Sequence, residues 1–229
     1  MIPFRDDVPS ARLPIANYAL ILTCAATFYL EITAGVGREA WILRHALVPE
    51  RFFALGERLG YVHPQLYAPL ISSIFLHGGV LHLLGNMLFL WIFGDNVEDR
   101  FGSLGYAAFF LAGGVVAGLT HTLLHPASQI PTVGASGAIA AVMGAYLLMY
   151  PRARVETLVI IVIFVRIVRI PAALYLPAWF GIQLLHGIGE RGALGAGSGV
   201  AWWAHAGGFV FGTAAVLLLG RQPRRTRVR

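Results

Sequence analysis

The sequence predicts an all-α fold: a polytopic membrane protein built as a bundle of six apolar helices. Three observations predict it. Only 12% of the residues are charged and 57% are hydrophobic, whereas about a quarter of an ordinary soluble chain is charged. Charge-free intervals recur that are long enough for a membrane helix, which needs roughly 20 apolar residues. The positive charges are all arginine and flank those intervals.

In chain order, residues 13–30 form the first interval. Residues 59–94 form the second, with helix expected only in the later part because Pro64 and Pro69 break the start. Residues 101–151 are long enough for two spans, divided at "HPASQIPTVGASG". Residues 170–189 give a fifth span, and residues 192–220 contain a sixth. The run "LVIIVIFV", residues 158–165, is too short to cross before Arg166 and is read as an interfacial segment in a loop. The domain boundaries follow: a short cytoplasmic N-terminus at 1–12, one membrane domain at 13–220, and a basic cytoplasmic tail at 221–229.

Charge asymmetry sets the orientation. With the N-terminus inside, twelve arginines fall in inner segments. Five fall outside: Arg38, Arg44, Arg51, Arg58 and Arg191. Positive residues favour the cytoplasmic side, so both termini are expected there, in a cell (inner) membrane. This distribution also accounts for the net charge of +6 without nucleic-acid binding. The tail "RQPRRTRVR" reads as an end attracted to lipid headgroups. The first 22 residues carry Asp6 and Asp7 ahead of the apolar run and show no clear small-residue cleavage site, unlike a secretory signal peptide. The single Cys24 lies in the first span and excludes an intrachain disulfide and a cysteine metal cluster.

Polar side chains inside a membrane are costly and point to function. Three clusters stand out. In "HGGVLHLLGNMLFLWIFG", His82 and Asn86 are four apart and share a helix face, with His77 just before them. In "PTVGASGAIAAVMGAY", Ser136 stands between Gly134 and Gly137 and is followed by small residues that let another helix approach. In "WWAHAGGFVFG", His205, Gly208 and Gly212 form one stripe of the sixth helix. Each cluster alone could serve helix packing. Combined, they supply a nucleophile, a base and oxyanion donors. Ser136 is a weak nucleophile until His205 takes its proton. His82, Asn86 and the Ser136 backbone N–H could bind a developing oxyanion. Asp95, Glu98 and Asp99 sit at the far end of their span, so a dyad is expected rather than a triad. The string is not a Gly-x-Ser-x-Gly nucleophile elbow, because Ala138 stands where the second glycine belongs.

These stretches, with "MIPFRDD" at the start, resemble the rhomboid family of intramembrane serine proteases over most of the chain. The resemblance implies a six-helix rhomboid-like bundle with a first outer loop, residues 33–69, partly embedded in the membrane. It implies Ser136 as nucleophile, His205 as general base, and His82 and Asn86 as oxyanion support. Its implied substrates are transmembrane protein segments, cut near the outer surface, with no cofactor. There are two departures. Ala140 stands where many relatives carry an aromatic that packs on the catalytic histidine. Ala68 and Pro69 stand where many carry Trp-Arg.

Two other readings compete. A catalytically dead relative that escorts membrane clients would usually have lost the serine or the histidine, and this chain has both. A transporter or metal carrier would use some of the eight histidines, among which His121 and His125 are four apart. Zinc asks for three or four ligands, and no cysteine or acid lies near that pair, so no metal is expected.

Overall fold

In hydrocarbon every backbone N–H and C=O must be paired within the protein, so long apolar intervals become helices. The computed structural model describes residues 2–161, 164–192 and 200–220. Helix α1 is Ile15–Thr33. Three short helices follow: α2 Arg38–His45, α3 Pro49–Leu59 and α4 Ala68–Phe75. The longer helices are α5 Val80–Phe101, α6 Ser103–Leu124, α7 Ser136–Met149, α8 Ala172–Gly192 and α9 Trp202–Leu219. Their boundaries follow local chemistry. Pro49 and Pro69 lie in the first turns of α3 and α4, where a missing N–H costs nothing. Gly102, with φ +74, separates α5 from α6. Among the described residues, four helices, α1, α5, α6 and α9, are long and apolar enough to cross a membrane. Helix α7 is apolar but only 14 residues long. Helix α8 has 21 residues, with Pro177 in its interior and the polar Gln183 and His186 in its apolar run.

Helix α7 is the core. Every residue from 137 to 146 is buried, as expected for a helix apolar all round. It meets α9 backbone to backbone. A Cβ added to Gly208 would strike the carbonyl oxygen of Gly137, one added to Gly212 would strike that of Ala141, and one added to Gly144 would strike that of Phe209. Apolar burial drives little association between helices in lipid, so this close van der Waals contact matters more than it would in water.

Polar ties fix the ends. Glu98 of α5 accepts hydrogen bonds from the backbone N–H of Ala16 (3.1 Å) and Asn17 (2.8 Å), capping the start of α1. Asn17 donates to the Leu90 carbonyl (3.1 Å) and accepts from the Tyr106 hydroxyl (2.8 Å). At the opposite end of α1, the buried Glu31 accepts from the His77 backbone N–H at 2.9 Å and lies 3.7 Å from the Arg38 guanidinium.

The helices are joined by a small sheet, which corrects the purely helical expectation. Strands β1 Ile2–Asp6, β2 Arg154–Ile161 and β3 Phe164–Pro171 form an antiparallel sheet in the order β1-β2-β3. The apolar run at 158–165, read as an interfacial segment, is therefore strand in its described part. Its β-branched residues suit a pleated surface, and residues 162 and 163 lie outside the described residues. Glu156 of β2 draws the sheet together, accepting from Arg5 Nε at 2.6 Å and Arg169 Nε at 3.0 Å. The basic tail at 221–229 also lies outside the described residues.

Candidate active site

The turn into α7 sets the position of Ser136. Gly134 has φ +121, which L side chains rarely adopt. Its N–H donates to the Ser73 carbonyl at 2.9 Å, holding the turn against α4. A Cβ there would also come within 2.7 Å of His82 Nε2. Ala135 is the N-cap residue and Ser136 the first helical residue. No side chain caps this helix, so the Ser136 hydroxyl is left for another partner.

That partner is His205. Its Nε2 lies 2.7 Å from Ser136 Oγ. The contact depends on the glycine stripe, because Gly208 lets α9 come down on the Gly137 carbonyl one turn away. The other ring nitrogen, Nδ1, lies 2.7 Å from Oε1 of Gln183, on α8. An amide oxygen can only accept, so Nδ1 carries the proton and Nε2 is left to accept from the serine hydroxyl. The rings of Trp179 and Trp202 flank the imidazole, with centroids at 5.9 Å and 6.1 Å. Ala140 itself contributes no ring to this histidine, and its methyl group faces the Gly208 position instead.

His82 and Asn86, on α5, line the same cavity as Ser136 and His205. Its volume is about 620 Å³. Asn86 is buried, and its amide Nδ2 has no hydrogen-bond partner among the described residues. The predicted residues are thus brought together: Gly134 and Gly137 shape the turn, Gly208 and Gly212 let α9 approach, and the four polar side chains border one space. His121 and His125 border it too, their rings 4.8 Å apart. Among the described residues, no group of three or more His, Cys, Asp or Glu could hold a metal ion.

Gln183 escaped the sequence reading, which looked for a carboxylate. Asp95 and Asp99 instead serve the opposite end of α5, where Asp95 accepts from Ser10 at 3.1 Å and Asp99 accepts from the Arg12 N–H at 3.2 Å. The one available signal was a lone amide within an apolar helix. Nothing in the sequence sets the rotation of α8 toward α9.

Comparison with known proteins identifies the family. The family model for the rhomboid domain matches residues 64–222. The chain belongs to the rhomboid family. Rhomboid protease GluP of Bacillus subtilis (strain 168) is 31% identical over 135 residues, 58% of this chain and 24% of that protein. RHOMBOID-like protein 5 of Arabidopsis thaliana is 40% identical over 78 residues, 34% of this chain and 25% of its own length. Presenilin-associated rhomboid-like protein A, mitochondrial, of Danio rerio is 31% identical over 97 residues, 42% of this chain and 25% of its own. The chain spans about a quarter of the length of these relatives. Family membership and the apolar helices make it a multi-pass membrane protein.

Proposed function

We propose that the protein is an intramembrane serine endopeptidase that cuts transmembrane segments of other membrane proteins near the outer surface. The observation that carries this reading is the 2.7 Å contact between Ser136 Oγ and His205 Nε2 at the border of a cavity. A base within roughly 2.6–3.2 Å of a hydroxyl is the arrangement that activates a serine nucleophile. The similarity to GluP, a rhomboid protease, supports the same chemistry.

In the reaction, Ser136 Oγ attacks the substrate carbonyl while His205 Nε2 takes its proton. The carbonyl oxygen becomes an oxyanion. The Ser136 N–H, without an intrahelical partner at the start of α7, donates to it. Asn86 Nδ2 and the His82 ring add donors from α5. The imidazolium then protonates the leaving amine, and the C–N bond breaks. Water, deprotonated by the same histidine, hydrolyses the Ser136 ester. The attacked backbone must be extended, because a helix keeps its carbonyls in hydrogen bonds. Substrates with glycine or proline near the outer surface, and a small residue before the cut, are therefore preferred.

This reading carries six spans, with α7 and α8 joining the four long apolar helices, and both termini in the cytoplasm of a cell (inner) membrane. Residues 13–220 are the protease domain, and residues 33–69 are an outer loop partly embedded in the bilayer. The test is cleavage of a transmembrane substrate in liposomes, with fluorophosphonate labelling alongside. Ser136→Ala and His205→Ala are each expected to abolish cleavage while melting as wild type does. Their double variant should be no worse, because the pair acts as a unit. Retained cleavage in Ser136→Ala would overturn the proposal.

A further inference from the structure

We propose that Gln183 is the positioning residue for His205, the third member of a Ser–His–Gln relay in which an amide does the orienting. The inference rests on the protease reading above and extends it to a residue on a third helix.

The geometry begins inside α8. Gln183 Nε2 lies 3.4 Å from the Trp179 carbonyl oxygen, one turn earlier on the same helix. A carbonyl can only accept, so the atom facing it is the NH2 group, and Oε1 is the atom turned toward α9. Oε1 meets His205 Nδ1 at 2.7 Å. The amide cannot flip without setting its NH2 group against the proton on Nδ1 and its oxygen against the Trp179 oxygen. Gln183 is 6% exposed and His205 9% exposed, so water competes little for either group. The chain of bonds runs from Trp179 O through the amide to Nδ1, and from Nε2 to Ser136 Oγ at 2.7 Å. It fixes both the tautomer and the ring plane.

Two further observations make the role necessary. Ala140 has no ring to lay against the imidazole; its methyl group faces the Gly208 position. The described residues lining the cavity include no Asp or Glu that could hold Nδ1–H. An amide holds the proton without adding a charge to a buried site, where an unpaired carboxylate would be costly. Trp179 and Trp202 bracket the ring from its sides, but neither accepts a hydrogen bond from Nδ1.

The experiment compares wild type, Gln183→Leu and Gln183→Glu in liposomes, reading kcat and KM for a transmembrane substrate, the rate of fluorophosphonate labelling, the pH profile of kcat/KM and thermal melting. Gln183→Leu removes the acceptor and is expected to lower kcat and the labelling rate together by about 10- to 100-fold, by analogy with the loss of a residue that orients a metal-ligating histidine. KM should stay near the wild-type value. Gln183→Glu restores an acceptor of the same reach and should recover kcat above that of Gln183→Leu. Its carboxylate favours the imidazolium, so the acid limb of kcat/KM should move to higher pH. His82, His121 and His125 share the cavity with His205 and are unchanged in both variants. A merely structural Gln183 would lower melting temperature and leave the labelling rate of the folded protein and its pH profile where they were. Wild-type kcat in folded Gln183→Leu would overturn the proposal, as would an unmoved acid limb in Gln183→Glu. If Gln183→Leu does not fold, the Gln183→Glu profile decides alone. Loss of labelling in Ser136→Ala alongside neutral Gln183 variants would remove only the relay. Labelling that survives Ser136→Ala would remove the protease reading itself.

Discussion

A buried amide nitrogen without a partner costs roughly 1–3 kcal/mol, and Asn86 carries one in the cavity wall. Such a donor is useful if charge develops beside it. One oxyanion donor is typically worth about 100- to 1000-fold in turnover, whereas a hydrogen bond between membrane helices stabilises by roughly 1 kcal/mol. Asn86→Ala is therefore expected to lower kcat by about 100-fold or more, less than His205→Ala does, with melting temperature nearly constant. Unchanged kcat would reduce Asn86 to a packing residue. Ser136, His205, His82 and Asn86 were legible in the sequence because each is a polar residue in an apolar run, spaced to share a helix face with small residues or with one another. Gln183 was not, because its contact depends on how α8 is rotated about its own axis, which no short-range pattern encodes.

At the scale of elements, the α7–α9 seam leaves no room for side chains. Gly212→Ala places a methyl group on the Ala141 carbonyl. Overpacking of this kind costs roughly 1–3 kcal/mol, and relief must come from parting the two helices that carry Ser136 and His205. Both melting temperature and kcat are expected to fall, and a folded variant with full activity would show that the seam tolerates separation. The sheet gives a second test. Asp6 of β1 accepts from the Tyr146 hydroxyl and from Asn96 Nδ2. Burial, the largest cause, raises its carboxyl from 3.8 to about 6. Protonated Asp6 is thus favoured by folding. Its contribution is complete below pH 3.8 and is lost as pH rises through about 6. Melting curves of wild type and Asp6→Asn in detergent, taken across that window, should converge at the acid end, with the variant lacking this decline. A decline of equal size in Asp6→Asn would rule out Asp6 as its source. The long helices were readable from their charge-free lengths, whereas α2 and α3 lie in a charged segment read as a loop. The strands were not, because a short run of Val and Ile looks alike at an interface and in a sheet, and β2 pairs with β1 from the distant start of the chain.

For the whole molecule, the proposed orientation places the sheet in the cytoplasm and α2, α3 and α4 on the outer side. Single cysteines at exposed sites test it on a Cys24→Ser background. Val62→Cys, in the outer segment, should react with an impermeant reagent applied to intact cells. Ile167→Cys, in β3, should react only after the membrane is opened. The reverse pattern would invert the topology.

For the proposed protease, the length of α7 has a consequence for the supply of the second substrate, water. A helix of 14 residues extends about 21 Å at 1.5 Å per residue, against a hydrocarbon core of about 30 Å. If its inner end at Met149 reaches the cytoplasmic boundary, Ser136 hangs roughly 9 Å beneath the outer one. Hydrolysis of the acyl ester there requires solvent drawn down to a depth that lipid would otherwise keep dry. On the proposed protease reading, the cavity beside Ser136 is then a well as much as a binding site, and a substrate that fills it completely shuts out the water needed to release the acyl group.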